Sequence, residues 1–203
     1  MLTLILDYCG SFAFCMTGSI LATSRKMDFV GTYCLAAITG FGGGFLRDLI
    51  IGFHPPTLFQ TPTYWIIALL ATGIVYLFNF NKIFVERLVT IGDTMGLAFF
   101  TVVGIKKGIE FNLVPYQCIL LGVTTACFGG VFRDVIANRI PYIFHRDFYA
   151  SVAFIGGVLF FILFEFFPIA ISEFIVIGFI FTLRMLTINR SFSFLKKNIL
   201  KKS

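Results

Sequence analysis

Apolar residues fill long runs along this chain, and polar residues gather in short gaps between them. The first run, residues 2–23, is long enough to cross a hydrocarbon core of ~30 Å as a helix. It has no basic leader and no short cleavable core, so it reads as a span and not as a signal peptide. After a gap holding Arg25, Lys26 and Asp28, a second run covers 29–53 and stops at His54-Pro55-Pro56, where proline cannot continue a helix. A third run, 61–80, carries Tyr64, Trp65 and Tyr76 near its ends, the depth that amphipathic rings favour. A gap with Asn81, Lys82, Glu86 and Arg87 precedes a fourth run at 88–105, and Lys106, Lys107 and Glu110 precede a fifth at 114–137. Asn138, Arg139, Pro141, His145, Arg146 and Asp147 lie before the sixth run, 148–167. Pro168 divides it from a seventh at 169–188, and the chain ends in a tail with Arg190, Lys196, Lys197, Lys201 and Lys202. The pattern predicts seven transmembrane helices.

The runs repeat. Thr39-Gly40-Phe41-Gly42-Gly43-Gly44-Phe45-Leu46-Arg47-Asp48 returns 86 residues later as Thr125-Ala126-Cys127-Phe128-Gly129-Gly130-Val131-Phe132-Arg133-Asp134, and this offset holds without a gap from Asp7/Asp93 to Pro55/Pro141. A duplicated unit follows, with repeat one at about 4–80, repeat two at about 86–167, a seventh helix at about 169–188 and a basic tail at 189–203, all in one membrane domain. Three spans per copy place the copies in opposite orientations, an inverted repeat.

Composition agrees with the pattern. With 58% hydrophobic residues, 13% charged and a mean hydropathy of +0.94, the chain has too little polar surface for a soluble globule. The formal charge of +6 would suggest nucleic acid in a soluble protein, but most of it lies between apolar runs and in the tail, where membrane orientation accounts for it. Counting Lys and Arg in alternate gaps gives eleven on the side of the tail and two, Lys106 and Lys107, on the other. The positive-inside rule then expects the N-terminus outside and the C-terminus in the cytoplasm. Cys9, Cys15, Cys34, Cys118 and Cys127 fall inside the runs without metal-ligand spacing and read as small buried hydrophobes.

Two features carry candidate function. The glycines Gly42, Gly43 and Gly44, with Gly129 and Gly130, have two readings: close packing of helices, or a break at membrane depth whose freed carbonyls face a cation. Irregular backbone is tolerated at that depth only beside protein or water, and inverted repeats with broken helices build polar paths that way. Recurrence in both copies, each time before Arg-Asp, favours broken second and fifth helices, with Thr39 and Thr125 beside the path. The second feature is the set of intramembrane charges Asp7, Arg47, Asp48, Asp93, Arg133 and Asp134. Such groups cost about 2.5–3.5 kcal/mol each at a helix centre and face the protein interior or water. They read as paired scaffolding or as the lining of an ion path, and the two are compatible. No histidine, metal-ligand cluster or nucleophile accompanies the aspartates; His54 and His145 lie at loop edges, and no catalytic residue, cofactor or metal is expected. Depth pairs Arg47 with Asp7 and Arg133 with Asp93, leaving Asp48 and Asp134 to backbone amides, water or a cation, because adjacent helical residues point about 100° apart.

The Gly-Gly-Gly-Phe-Leu-Arg-Asp and Gly-Gly-Val-Phe-Arg-Asp segments, the aspartate opening each half and the three, three and one arrangement resemble the prokaryotic TRIC cation channels, a family also catalogued under a glycine-transporter domain. The resemblance runs from Asp7 through the seventh span. It implies a homotrimer in the bacterial inner membrane, in contact with lipids, each subunit holding its own pore beside the kinked second and fifth helices and passing potassium and sodium. Phe128 stands where a third glycine would, which implies a less open break in the fifth helix. The alternative is a secondary transporter for a small solute such as glycine, since both activities need a polar site at the midplane.

Overall fold

The computed structural model describes residues 2–78, 82–145 and 148–199, with side chains to residue 188 apart from 82–85 and 145. Asn81, Arg146, Asp147, Lys201 and Lys202, which the sequence places in gaps and tail, lie outside the described residues. The structure is all-helical there: α1 (Leu2–Ser24), α2 (Phe29–Ile50), α3 (Thr57–Gln60), α4 (Thr63–Leu77), α5 (Lys82–Glu110), α6 (Pro115–Ile136), α7 (Tyr142–His145), α8 (Tyr149–Phe166) and α9 (Ile169–Ile199). Six helices are long and apolar enough to span a membrane, while α4 is a shorter apolar helix of 15 residues, about 22 Å long. Pro62 at its start and extended backbone at Phe78 set its length, so the third predicted run contains less helix than its hydropathy suggests. The gaps at 82–87 and 106–110 are helical and extend α5 at both ends, because Lys, Glu and Arg favour helix once it is nucleated. In the same way α9 continues past 188 into the tail.

The two halves have matching parts. α1, α2, α3 and α4 correspond in order to α5, α6, α7 and α8, and in each half the first helix packs on the second and third long helices. Across the halves α1 lies on α5 and α2 on α6, while α9 packs against α5 and α8. Phe14, Leu97, Val102, Ile105, Val152 and Phe160 form the main core, all 0% exposed. Many large side chains elsewhere remain exposed, such as Leu70, Leu77, Tyr116 and Phe166. A helix apolar on its outer face as well is what a lipid solvent requires.

α2 and α6 end alike, and not at the prolines. Gly52 and Asn138 take left-handed backbone, φ 69° and 52°. Each closes its helix with paired hydrogen bonds: Phe53 N–H donates to the Asp48 carbonyl and Gly52 N–H to Leu49, while Arg139 N–H donates to Asp134 and Asn138 N–H to Val135. This Schellman ending places the Arg-Asp pairs in the last turn. A β-branched side chain pays for left-handed backbone with about 1–2 kcal/mol. Gly52→Val should therefore lower the melting temperature in detergent measurably, whereas Asn138→Gly should melt at or above the wild type.

Candidate functional site

The glycines resolve into two roles. Neither helix is broken: α2 is continuous through Gly42–Gly44 and α6 through Gly129–Gly130, contrary to the expectation of unwound second and fifth helices. The two helices cross here with backbone against backbone. A Cβ on Gly43 would sit 3.1 Å from the Thr125 carbonyl carbon and still closer to its oxygen, and a Cβ on Gly129 would run into the Thr39 carbonyl oxygen. The contact is reciprocal, with Gly43 on Thr125 and Gly129 on Thr39, equivalent positions of the two copies exchanged. Helical geometry survives because the contact needs only missing side chains, not freed carbonyls. Thr39 and Thr125 are fully buried, and each hydroxyl donates to its own helix, to Leu35 O and Leu121 O, both at 2.6 Å. Gly42 leaves room for the Phe132 ring, 2.7 Å from where its Cβ would lie, which accounts for a glycine in one copy facing an aromatic from the other.

Gly44 and Gly130 do something different. A Cβ on either would point toward an arginine, 3.7 Å from Arg47 Nη2 and 3.6 Å from Arg133 Nη2. Each glycine therefore opens onto a cluster of buried charge. In the second cluster Arg133 Nη1 reaches Asp93 Oδ1 at 2.8 Å, as depth predicts, and also donates to Thr17 Oγ1 of α1 at 3.0 Å. In the first, the expected Arg47–Asp7 pair is replaced. Arg47 binds Asp48 at 2.8 Å and Thr57 Oγ1 at 3.4 Å, while Asp7 accepts a hydrogen bond of 2.6 Å from Tyr64. Asp7 and Arg47 still line one small cavity with Ser11, Gly44 and Tyr64, so depth placed them correctly and a phenol took the carboxylate.

The neighbouring arginine and aspartate do pair, in both copies: Arg47 with Asp48 and Arg133 with Asp134 Oδ1 at 2.9 Å. The 100° between adjacent positions fixes only where the side chains leave the helix, and a long arginine folds back across the last turn. The second carboxylate oxygen takes a backbone amide, as expected: Thr57 N–H at 2.7 Å for Asp48, and Tyr142 N–H at 3.3 Å for Asp134. These amides begin α3 and α7, so each short helix presents its positive end to an aspartate. All six charged residues are buried, at 0–8% exposure.

Sequence reasoning missed Tyr64 and Tyr149, which supply the third helix's contribution to each cluster, and the buried charges of α9, Glu173 and Arg184. The tyrosines carry no sequence signal as the offset falls from 86 to 85 beyond the prolines, so that Thr57 matches Tyr142 and Tyr64 matches Tyr149. Glu173 and Arg184 were legible, since charges inside an apolar run merit the same attention as Asp7. His54 is exposed, as expected at a loop edge.

Apolar helices around two buried, matched clusters of charge define a multi-pass integral membrane protein. The glycine transporter family model matches residues 4–79 and again residues 90–165. A chain from Rhodobacter sphaeroides, crystallised as an orthologue of the TRIC trimeric intracellular cation channel, superposes with a TM-score of 0.87 at 30% identity, over 91% of this chain and 96% of that one. A UPF0126 inner membrane protein of Escherichia coli, YadS, is 31% identical over 160 residues, 78% of this chain and 77% of the relative. A UPF0126 membrane protein of Vibrio cholerae is 32% identical over 76% of this chain, which spans 65% of that relative's length. The chain belongs to the prokaryotic TRIC channel family, which is also the family that the glycine transporter model describes.

Proposed function

We propose that the protein is a monovalent cation channel passing potassium and sodium, a homotrimer whose subunits each hold a pore along the crossing of α2 and α6. The observation that carries this reading is the pair of charge clusters flanking the glycine crossing, each with an aspartate from the first helix of its half beside a glycine, and in the first cluster Asp7, Gly44 and Arg47 line a small cavity. The likeness to a solved cation channel supports it. In this reading α4 spans the membrane as well, giving seven spans and two inverted repeats, at about 4–80 and 86–167, followed by the seventh helix and a basic tail. The E. coli relative supports an inner membrane location, and the excess of basic residues puts the N-terminus outside and the C-terminus in the cytoplasm. The ion would pass Gly44 and Gly130, with Gly43, Gly129, Thr39 and Thr125 closing the crossing between them, and no reaction or cofactor takes part.

A continuous wet path with weak discrimination separates a channel from a carrier. Purified protein in a planar bilayer should show discrete potassium steps; saturable glycine uptake without steps would replace the channel by the carrier. Gly44→Leu should lose most of its current, because a Cβ there meets only the Arg47 guanidinium, at 3.7 Å, and the rest of the side chain enters the small cavity beside it. Wild-type conductance in that variant would remove Gly44 from the path. A reporter active only in the cytoplasm, fused after Lys202, should be active, and a periplasmic tail would reverse the topology.

A further inference from the structure

α9 has no counterpart in the repeat, yet it delivers two buried charges to the second half. Glu173 and Arg184 are 0% and 3% exposed, on the face that also buries Val176 and Ile180. Glu173 lies 2.5 Å from Lys106 of α5, an ion pair that holds one end of the α9 face. About 16 Å further along the helix, Arg184 lies over the ring of Tyr149, with Cζ 5.0 Å from the ring centroid.

A comparison of the two clusters shows why a guanidinium stands there. Tyr64 is held edge-on by the rings of Tyr8 and Phe41, at 5.2 and 5.6 Å, while its hydroxyl donates to Asp7. At the offset of 86 the counterparts of Tyr8 and Phe41 are Thr94 and Cys127, both 1% exposed. Both rings are therefore missing around Tyr149, which is nevertheless only 3% exposed. A planar cation stacks on an aromatic face and fills room that threonine and cysteine leave. The hydroxyl so held faces the cluster, buried and without a hydrogen bond of its own among the described residues: a Cβ on Gly130 would lie 3.4 Å from Tyr149 Oη and 3.2 Å from Asp93 Oδ1.

We propose that Arg184 is a positioning residue for the second cluster, holding Tyr149 beside Asp93 as Tyr8 and Phe41 hold Tyr64 beside Asp7. The helix outside the repeat thereby becomes part of the path. The effect on current rests on the channel reading; the contact does not. Full-length protein purified in detergent tests the contact by thermal melting of Arg184→Met, Tyr149→Leu and the double variant. The double variant should melt no lower than the worse single one, and Cys127→Phe should recover part of the loss of Arg184→Met. Additive losses, or wild-type melting of Arg184→Met, would overturn the contact. In planar bilayers, Arg184→Met should change unitary potassium conductance by about threefold or more, the factor that corresponds to even the weaker, exposed cation–π contacts. Arg184→Lys should keep the wild-type value, and in a Tyr149→Phe background Arg184→Met should change nothing further. An unchanged current in Arg184→Met, or the same change with and without the Tyr149 hydroxyl, rejects the positioning role. A wild type that conducts nothing rejects the channel reading instead, while the melting cycle still decides the contact.

Discussion

Gly43→Ala and Gly129→Ala are expected to lose the folded protein. One methyl group on either helix meets a carbonyl of the other: Gly43 faces Thr125, and Gly129 faces Thr39 with the Phe14 ring 2.9 Å away. Overpacking a core with a flexible neighbour costs about 1–3 kcal/mol, and here the obstacle is main chain that cannot rotate aside, so the cost exceeds that range. The whole α2–α6 contact would have to widen, along with the α1–α2 and α5–α6 contacts, where Gly18 and Gly104 lie close to Thr39 and Thr125. Size-exclusion profiles of detergent extracts should show aggregated or missing protein for both variants and a normal peak for Gly44→Ala, whose Cβ meets nothing nearer than 3.7 Å. A well-folded Gly43→Ala that melts with the wild type would mean that the helices cross elsewhere.

Arg133→Gln is the second large effect. Its guanidinium is fully buried and serves Asp93, Asp134 and Thr17 together. Removing the cation leaves two buried carboxylates without their shared partner, and stranding one partner of a buried pair costs about 3–5 kcal/mol. Asp93→Asn in the same chain relieves one of the charges and should recover part of the loss. Asp7→Asn should be far milder than Asp93→Asn, because Asp7 accepts from the neutral Tyr64 hydroxyl and an asparagine oxygen can accept the same bond. Melting temperatures of the four variants would settle the ordering; equal losses for Asp7→Asn and Asp93→Asn would show that the two clusters are equivalent after all.

The difference between the clusters is a matter of neighbours, not of the repeated residues. Both halves carry Asp, Gly, Arg and Asp at matching positions. One arginine turns to Asp48 and Thr57, leaving a cavity lined by Asp7 and Arg47, and the other bridges Asp93 and Asp134. Thr17 of α1 contributes to the second cluster from the other half, which a two-fold copy need not reproduce. A duplicated sequence thus gives two sites with different packing around the same charges.

Sequence by itself determined the membrane class, the duplication, the equivalence of the glycines in the two copies and six of the eight charges buried among the described residues. Those follow from local properties: hydropathy over a run sets burial in lipid, identity at a fixed offset sets equivalence, and residue position along a helix sets depth. It also determined Arg133 with Asp93, and it left backbone amides among three options for Asp48 and Asp134, the one taken here together with the adjacent arginine. Tertiary structure alone decided the rest. Whether three glycines unwind a helix or let another helix in depends on what lies across from them, and here a continuous α6 does. Whether Asp7 takes Arg47 or Tyr64 depends on how α4 approaches, and whether Tyr149 is held by rings or by Arg184 depends on where α9 docks. These are choices among groups at similar depth on different helices, and the energy that separates them comes from side-to-side packing, which no one-dimensional pattern encodes.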